Sequence, residues 1–340
     1  MYTFKNTEIN NKKASDFETK SLLYLLGMRG DSEEIEIVTV DCFNDVTGSN
    51  TDFSKLWDVQ SKNHSNLPPS KIGESLFTLY DNYISTINFY DYVLFIPKLN
   101  REYLKDPSLN IYSYENINEK QKKGIEKKLK EKINGDKSGN TPTLFSDFLS
   151  KICFVEDNYK ISNYIKNMSK FKNKKSISED IYERIFVEIR NAQSALKNSY
   201  IEKEMIKNPV EVLKFNRHIK KSEIKTLLIS RFVGIDVFSF PGIPLSFFDV
   251  LNGLDEEERK DLLQECNENL SRAFFDKNGC KEFWRITEII IKLVKEKTDN
   301  HISVVYGNLI LLINIKTQYL TRETVLYMIS LVKTGLTNEN

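Results

Sequence analysis

Three polar side chains alternate along the stretch WDVQSK: Asp58, Gln60 and Lys62 fall at i, i+2 and i+4. On an extended strand such residues share one face, and Trp57, Val59 and Ser61 take the other. Asp45 precedes them in NDVTGSNTDF (44–53), which carries turn residues and reads as a hairpin with TGSN at its tip. Carboxylate, amide oxygen and ammonium on one face suit hydrolysis of a phosphodiester. A hard divalent cation takes oxygen ligands, polarises a phosphate and lowers the pKa of a bound water. A lysine beside it offsets the charge that builds in the transition state. Glu18, further upstream, could add a carboxylate. The alternative for the same face is the solvated side of an ordinary strand.

These residues need elements to position them. Residues 14–30 read as a helix capped by Ser15 or Asp16, with Phe17, Leu22, Leu25 and Leu26 on one apolar face and Gly27 and Gly30 at its end. IEIVTVDCF (35–43) and KLWDVQSK (55–62) read as strands. NHSNLPPS (63–70) is a loop, KIGESLFTLYDNYIS (71–85) an amphipathic helix, and YDYVLFIPKL (90–99) a buried strand. The first hundred residues therefore read helix, strand, strand, helix, strand, an α/β core with a mixed sheet. The charged stretch 115–137 keeps Ile117, Ile125, Leu129 and Ile133 near helical spacing and reads as a solvated helix. TLFSDFLSKICFVE (143–156) begins a mostly helical second half, with helical periodicity over 178–200 and 210–230. SFPGIPLSFF (239–248) is a Pro/Gly break, and helices follow from DEEERKDLLQECNENLSRAFF (255–275) onward.

The segments FE (17–18), ND (44–45), WDVQSK (57–62), KIGESLFTLYDNYIS (71–85) and YDYVLFIP (90–97) together resemble the double-stranded DNA endonuclease domain of CD-NTase-associated effectors. Related domains occur in Lamassu-type anti-phage systems, and all belong to the PD-(D/E)xK superfamily. The resemblance spans residues 12–230, with FLSKICFVE (148–156) a weaker match. It implies a restriction-endonuclease-like mixed sheet flanked by helices, an α-helical C-terminal region, and a nuclease domain over 1–230 followed by a regulatory or partner-binding domain over 231–340. It also implies that Asp45 is the principal metal carboxylate, Gln60 an amide-oxygen ligand, Lys62 the catalytic lysine and Glu18 the acidic residue of the first helix. Asp58 lies outside the strict motif, but its facing makes it a possible extra metal ligand. The implied cofactor is Mg²⁺ or Mn²⁺, bound weakly until phosphate joins it, because Gln60 is neutral. The implied partners are double-stranded DNA and either a second copy of the chain or a defence-complex protein such as an SMC-like ATPase subunit.

Other residues offer less. His64, two positions past Lys62, could contact phosphate or act as a base, or be an exposed loop residue. Lys172, Lys174 and Lys175 in KFKNKKS (170–176) could touch phosphates, or be an exposed basic loop. His218 and His301 read as surface residues. Phe238, Phe240, Phe247 and Phe248 read as core, with partner docking as the alternative. The chain has 340 residues with 49 basic and 48 acidic side chains, a net charge of +1. Bulk charge therefore cannot drive nucleic-acid binding, and local patches or a metal must do so. Four scattered cysteines and no CxxC argue against a zinc finger and suit a reducing cytoplasm. No signal peptide or membrane span is expected. The absence of GxxxxGK[ST], GxSxG and HExxH removes ATP hydrolysis by a P-loop and two other hydrolase chemistries.

Overall fold

A computed structural model describes residues 1–4, 16–64, 66–135, 142–197 and 200–337. The chain forms two compact units, residues 1–168 with 186–221, and residues 169–185 with 222–340.

In the first unit, β1 (Tyr2–Thr3) precedes α1 (Asp16–Gly27), and then come three consecutive strands: β2 (Ile37–Val40), β3 (Val46–Ser49) and β4 (Leu56–Ser61). The expected two-strand hairpin is thus corrected. TGSN is not a tip, because VTGS is itself a strand, with turns at 41–45 and 50–55 on either side. Gly48 suits this place: a Cβ there would lie 3.0 Å from Ile35 and 3.3 Å from Leu25 of α1. α2 (Pro69–Tyr83) starts with Pro at its first turn and leads to β5 (Asp91–Pro97), whose central residues are all buried. β6 (Ile111–Ser113), α3 (Glu119–Gly135), α4 (Pro142–Ser150), β7 (Ile152–Asp157) and α5 (Ile161–Met168) complete this stretch. Residues 143–156 are expected to begin a mostly helical second half. ICFVED is instead a strand, because its apolar residues fill the place beside β5.

After α6 (Glu179–Leu196) come β8 (Met205–Ile206) and β9 (His218–Lys220), then α7 (Lys221–Val233). The helical reading of 210–230 is corrected likewise: a 3-10 turn and β9 occupy its first half, because β9 adds an edge to β2. Seven strands form one sheet in the order β6-β7-β5-β4-β3-β2-β9. The β4–β5 and β5–β7 pairs are parallel and the others antiparallel, so the fold is α/β with a mixed sheet flanked by helices. Alternation along β4 sends Trp57 and Val59 to the face carrying α1, and Asp58 and Gln60 to the face carrying α2.

The second unit is helical. Beyond α7 it contains α8 (Phe248–Leu251), α9 (Glu256–Phe275), α10 (Cys280–Glu296), α11 (Ile302–Leu312) and α12 (Arg322–Thr337). A capping box starts α9: the Asp255 carboxylate accepts from the Glu258 amide at 2.9 Å, and Glu258 accepts from the Asp255 amide at 3.0 Å. Phe247 packs on Tyr327 and Phe238 on Phe274, with ring centroids 5.0 and 4.8 Å apart, while Phe248 stays exposed.

Candidate active site

The antiparallel register pairs Thr47 with Asp58 and Val46 with Val59. Asp45, one residue before Val46, therefore meets the Gln60–Ser61 end of β4. Its Oδ2 accepts the Ser61 backbone N–H at 2.8 Å, the Ser61 hydroxyl at 3.0 Å and the Gln60 amide. Lys62 Nζ stands 3.9 Å from the same oxygen. The Gln60 carbonyl oxygen accepts the Thr78 hydroxyl from α2. The side chains of Asp45 and Lys62 are 22% and 33% exposed, so this end of the sheet opens to solvent. Asp45, Gln60 and Lys62 are thus brought together.

Asp58 shares the face of Gln60 but lies one step deeper. Its carboxylate accepts Asn82 Nδ2 at 2.7 Å, and Asn82 also donates to the Phe43 carbonyl and accepts from Tyr2 Oη. Thr78 and Asn82 are four residues apart on α2, so one helix face meets both polar residues of β4. Asp58 and Gln60 are 0% and 2% exposed, which removes the solvated-strand alternative. Burial pushes the Asp58 carboxyl up to about 7; Asn82 and Asn44 oppose this and the Asp45 charge adds to it.

Glu18, on α1, pairs with a partner that sequence reasoning missed. The Lys197 ammonium, on a side chain only 1% exposed, lies 2.7 Å from Glu18 and 2.9 Å from Asp41. Burial pushes Glu18 up to about 7, Lys197 pulls it down, and the Asp45 and Asp41 charges push it up further. Burial likewise raises Asp41 against the pull of Lys197. Burial works against the Lys197 ammonium, but the two carboxylates outweigh it and raise its pKa. Asp41 sits at φ 48°, a left-handed conformation uncommon outside glycine, and Arg217 donates to its carbonyl at 3.0 Å. Thr19 donates to Gln193 at 2.8 Å, tying the end of α6 to α1. Asp41 was hidden inside an apparent strand, VDCF. Lys197 carries no motif and lies far along the chain, so no local pattern signals it.

Among the described residues, the remaining candidates make no hydrogen bond or ion pair with Asp45, Gln60 or Lys62. His64 is exposed in the segment after β4. Lys172, Lys174 and Lys175 belong to the second unit. There the buried Glu288 carboxylate accepts the backbone amides of Lys172 and Asn173 at 3.0 and 2.5 Å, which fixes the loop and leaves the Lys172 and Lys175 side chains exposed. His218 is half-buried in β9 rather than superficial, and its buried Nδ1 has no hydrogen-bond partner among the described residues. His301 is exposed, caps α11 and pairs with Asp249 at 2.8 Å.

The carboxylate of Asp45 and the amide of Gln60 adjoin at a solvent-facing edge, and carboxylate and amide oxygens are donor types that a hard divalent cation takes. Interchanging the Gln60 oxygen and nitrogen keeps its heavy atoms in place and turns its carbonyl toward Asp45. Among the described residues, no three His, Cys, Asp or Glu side chains are grouped to hold a metal ion. No helix among them is long and apolar enough to cross a membrane. The chain matches no family model, no curated protein and no solved structure.

Proposed function

We propose that the chain is a metal-dependent DNA endonuclease with a restriction-endonuclease-like core, acting in the cytoplasm as an effector of bacterial anti-phage defence. The observation that supports this most is the meeting of Asp45, Gln60 and Lys62 at the open end of β3 and β4. The defence role rests on the resemblance of residues 12–230 to the CD-NTase-associated effector nucleases. Asp45 and Gln60 would hold Mg²⁺ or Mn²⁺, which supplies Lewis acidity and a water of lowered pKa. Ser61 keeps the Asp45 carboxylate aimed, through its amide and hydroxyl. Thr78 fixes the rotamer of Gln60 from α2. Lys62 offers its ammonium to the phosphate oxygen that gains charge as water attacks phosphorus. The exposed Lys172 and Lys175 of the second unit suit contacts to DNA phosphates, as does the exposed His64 of the first. Control by a second copy or by a partner such as an SMC-like ATPase would spare the host DNA.

One observation favours a second reading, a nuclease-fold subunit that binds DNA or acts as a scaffold without cutting. Gln60 spends its amide on Asp45 and its carbonyl on Thr78, leaving Asp45, among the described residues, the one carboxylate in direct contact with this group. A sequence-specific restriction enzyme is the third possibility. Incubation with plasmid DNA separates them: metal-dependent degradation supports the first, tight binding without cleavage under any metal the second, and a fixed fragment pattern the third.

A further inference from the structure

We propose that a row of exposed lysines on α3, Lys120, Lys123, Lys127 and Lys130, is a track for the phosphate backbone of duplex DNA beside the Asp45–Gln60–Lys62 site. This deepens the nuclease reading and rests on it. The whole chain carries a net charge of only +1, so any hold on DNA must come from a local patch or a metal. α3 is such a patch: it has seven lysines against three glutamates over Glu119–Gly135, a charge of +4 on one helix. Spacings of three, four and three residues put the four lysines on one helix face, a row about 15 Å long. Ile125, Leu129 and Ile133 bury a different face.

Pairing within α3 leaves this row charged. Glu119 pairs with Lys105 and Lys122 at 3.3 and 3.1 Å, Glu126 with Lys130 at 3.7 Å, and Glu131 with Lys128 at 3.2 Å. Lys120, Lys123 and Lys127 are exposed and have no ion pair among the described residues. The carboxylates of the helix are thus taken up, and three ammoniums are left to an outside anion. The row also stands toward the open end of the sheet. A Cβ at Gly124 would lie 2.9 Å from Pro69, so this part of α3 meets the first turn of α2. Along α2, Asn82 meets Asp58 and Thr78 meets Gln60, so the first turn lies further in the direction of Lys62. From Thr78 back to Pro69 is about 13 Å along the helix, the rise of about four base pairs. Lys127 lines a groove of about 570 Å³ between the two helices, whose carboxylates Glu74 and Glu131 are already paired to Lys71, Lys132 and Lys128. A duplex with its scissile phosphate at Asp45 and Lys62 would carry neighbouring phosphates past Lys123 and Lys127.

The test measures binding of a short DNA duplex by the full chain across a salt series, in EDTA, where a metal-dependent enzyme cuts nothing. Lys120→Gln, Lys123→Gln and Lys127→Gln together should flatten the slope of log K against log salt by about 2–3 and weaken binding at least about 10-fold. Lys120→Arg, Lys123→Arg and Lys127→Arg together should keep the wild-type slope. The single variant Lys123→Gln, with its slope flattened by about 0.9, carries the test if the triple variant does not fold. An unchanged slope in the Gln variants would overturn the proposal and spare the nuclease reading. So would an equal loss from Lys260→Gln, Lys281→Gln and Lys292→Gln together, exposed lysines of the second unit, because bulk charge would then suffice. Loss of binding to polyglutamate with duplex binding intact would give the row to an acidic protein and overturn the proposal too. A wild type that binds no duplex at any salt, in EDTA or in Ca²⁺, would overturn the nuclease reading and this proposal together.

Discussion

The Asp45 carboxylate accepts the Ser61 backbone N–H at 2.8 Å, so the residue proposed to hold a metal also ties the start of β3 to the end of β4. The two roles separate by substitution. Asp45→Asn keeps an oxygen for Ser61 and removes the charge. Asp45→Ala leaves a part-buried N–H without its partner, at a cost of about 1–3 kcal/mol. Both variants are expected to lose DNA cleavage by at least about 100-fold. Urea melts should rank Asp45→Asn above Asp45→Ala, and equal stabilities would show that the tie contributes nothing.

Lys62 is the converse. Its ammonium pairs with Asp45 only at 3.9 Å and is one-third exposed. Such a pair is worth well under about 1 kcal/mol. Lys62→Ala is therefore expected to keep the melting temperature within a few degrees while abolishing cleavage. A large loss of stability would assign Lys62 a structural role instead.

Asp58 gives a pH signature. Burial raises its carboxyl from 3.8 to about 7 in the folded chain, so folding favours the protonated form. Its stabilising contribution is whole below about pH 4 and is lost as pH rises to about 7, a change of about 4 kcal/mol across that window. Glu18, also raised to about 7, acts in the same direction. Asp58→Asn should flatten the fall in melting temperature between pH 4 and pH 7, measured by calorimetry against the wild type. An unchanged slope would show that Asp58 does not titrate in that range.

The local part of this arrangement was legible in the sequence. Period-two spacing put Asp58 and Gln60 on one face of β4, and helical spacing marked α1, α2, α3 and the C-terminal helices. The missed strands share a cause. VTGS in β3 has two small residues where strands usually carry bulk, because α1 packs closely over Gly48. HIK is short, and ICFVED follows α4 almost directly; tertiary pairing with β2 and β5 makes them strands. Within the site, the antiparallel register aligned Asp45 with Gln60, as a two-strand reading could not show. Thr78, Asn82 and Lys197 come from other elements, and only folding places them there. Asp58 has the facing that the spacing gave it, and depth along the strand buries it with one carboxylate oxygen on Asn82.

The seat of α2 can be tested away from the chemistry. A Cβ at Gly73 would lie 2.3 Å from the Ile125 carbonyl oxygen of α3. Gly73→Ala must push the two helices apart, at a cost of about 1–3 kcal/mol. Because α2 carries Thr78 and Asn82, which meet Gln60 and Asp58, cleavage should fall as well. A variant as stable as the wild type would contradict the close packing of α2 on α3.

The most direct measurement is plasmid cleavage by the purified chain in Mg²⁺ or Mn²⁺, with EDTA and the Lys62→Ala variant as controls. Metal-dependent cutting that disappears in EDTA and in Lys62→Ala is the predicted result. Cutting that persists in EDTA or in Lys62→Ala, or tight DNA binding without cutting under either metal, would contradict it.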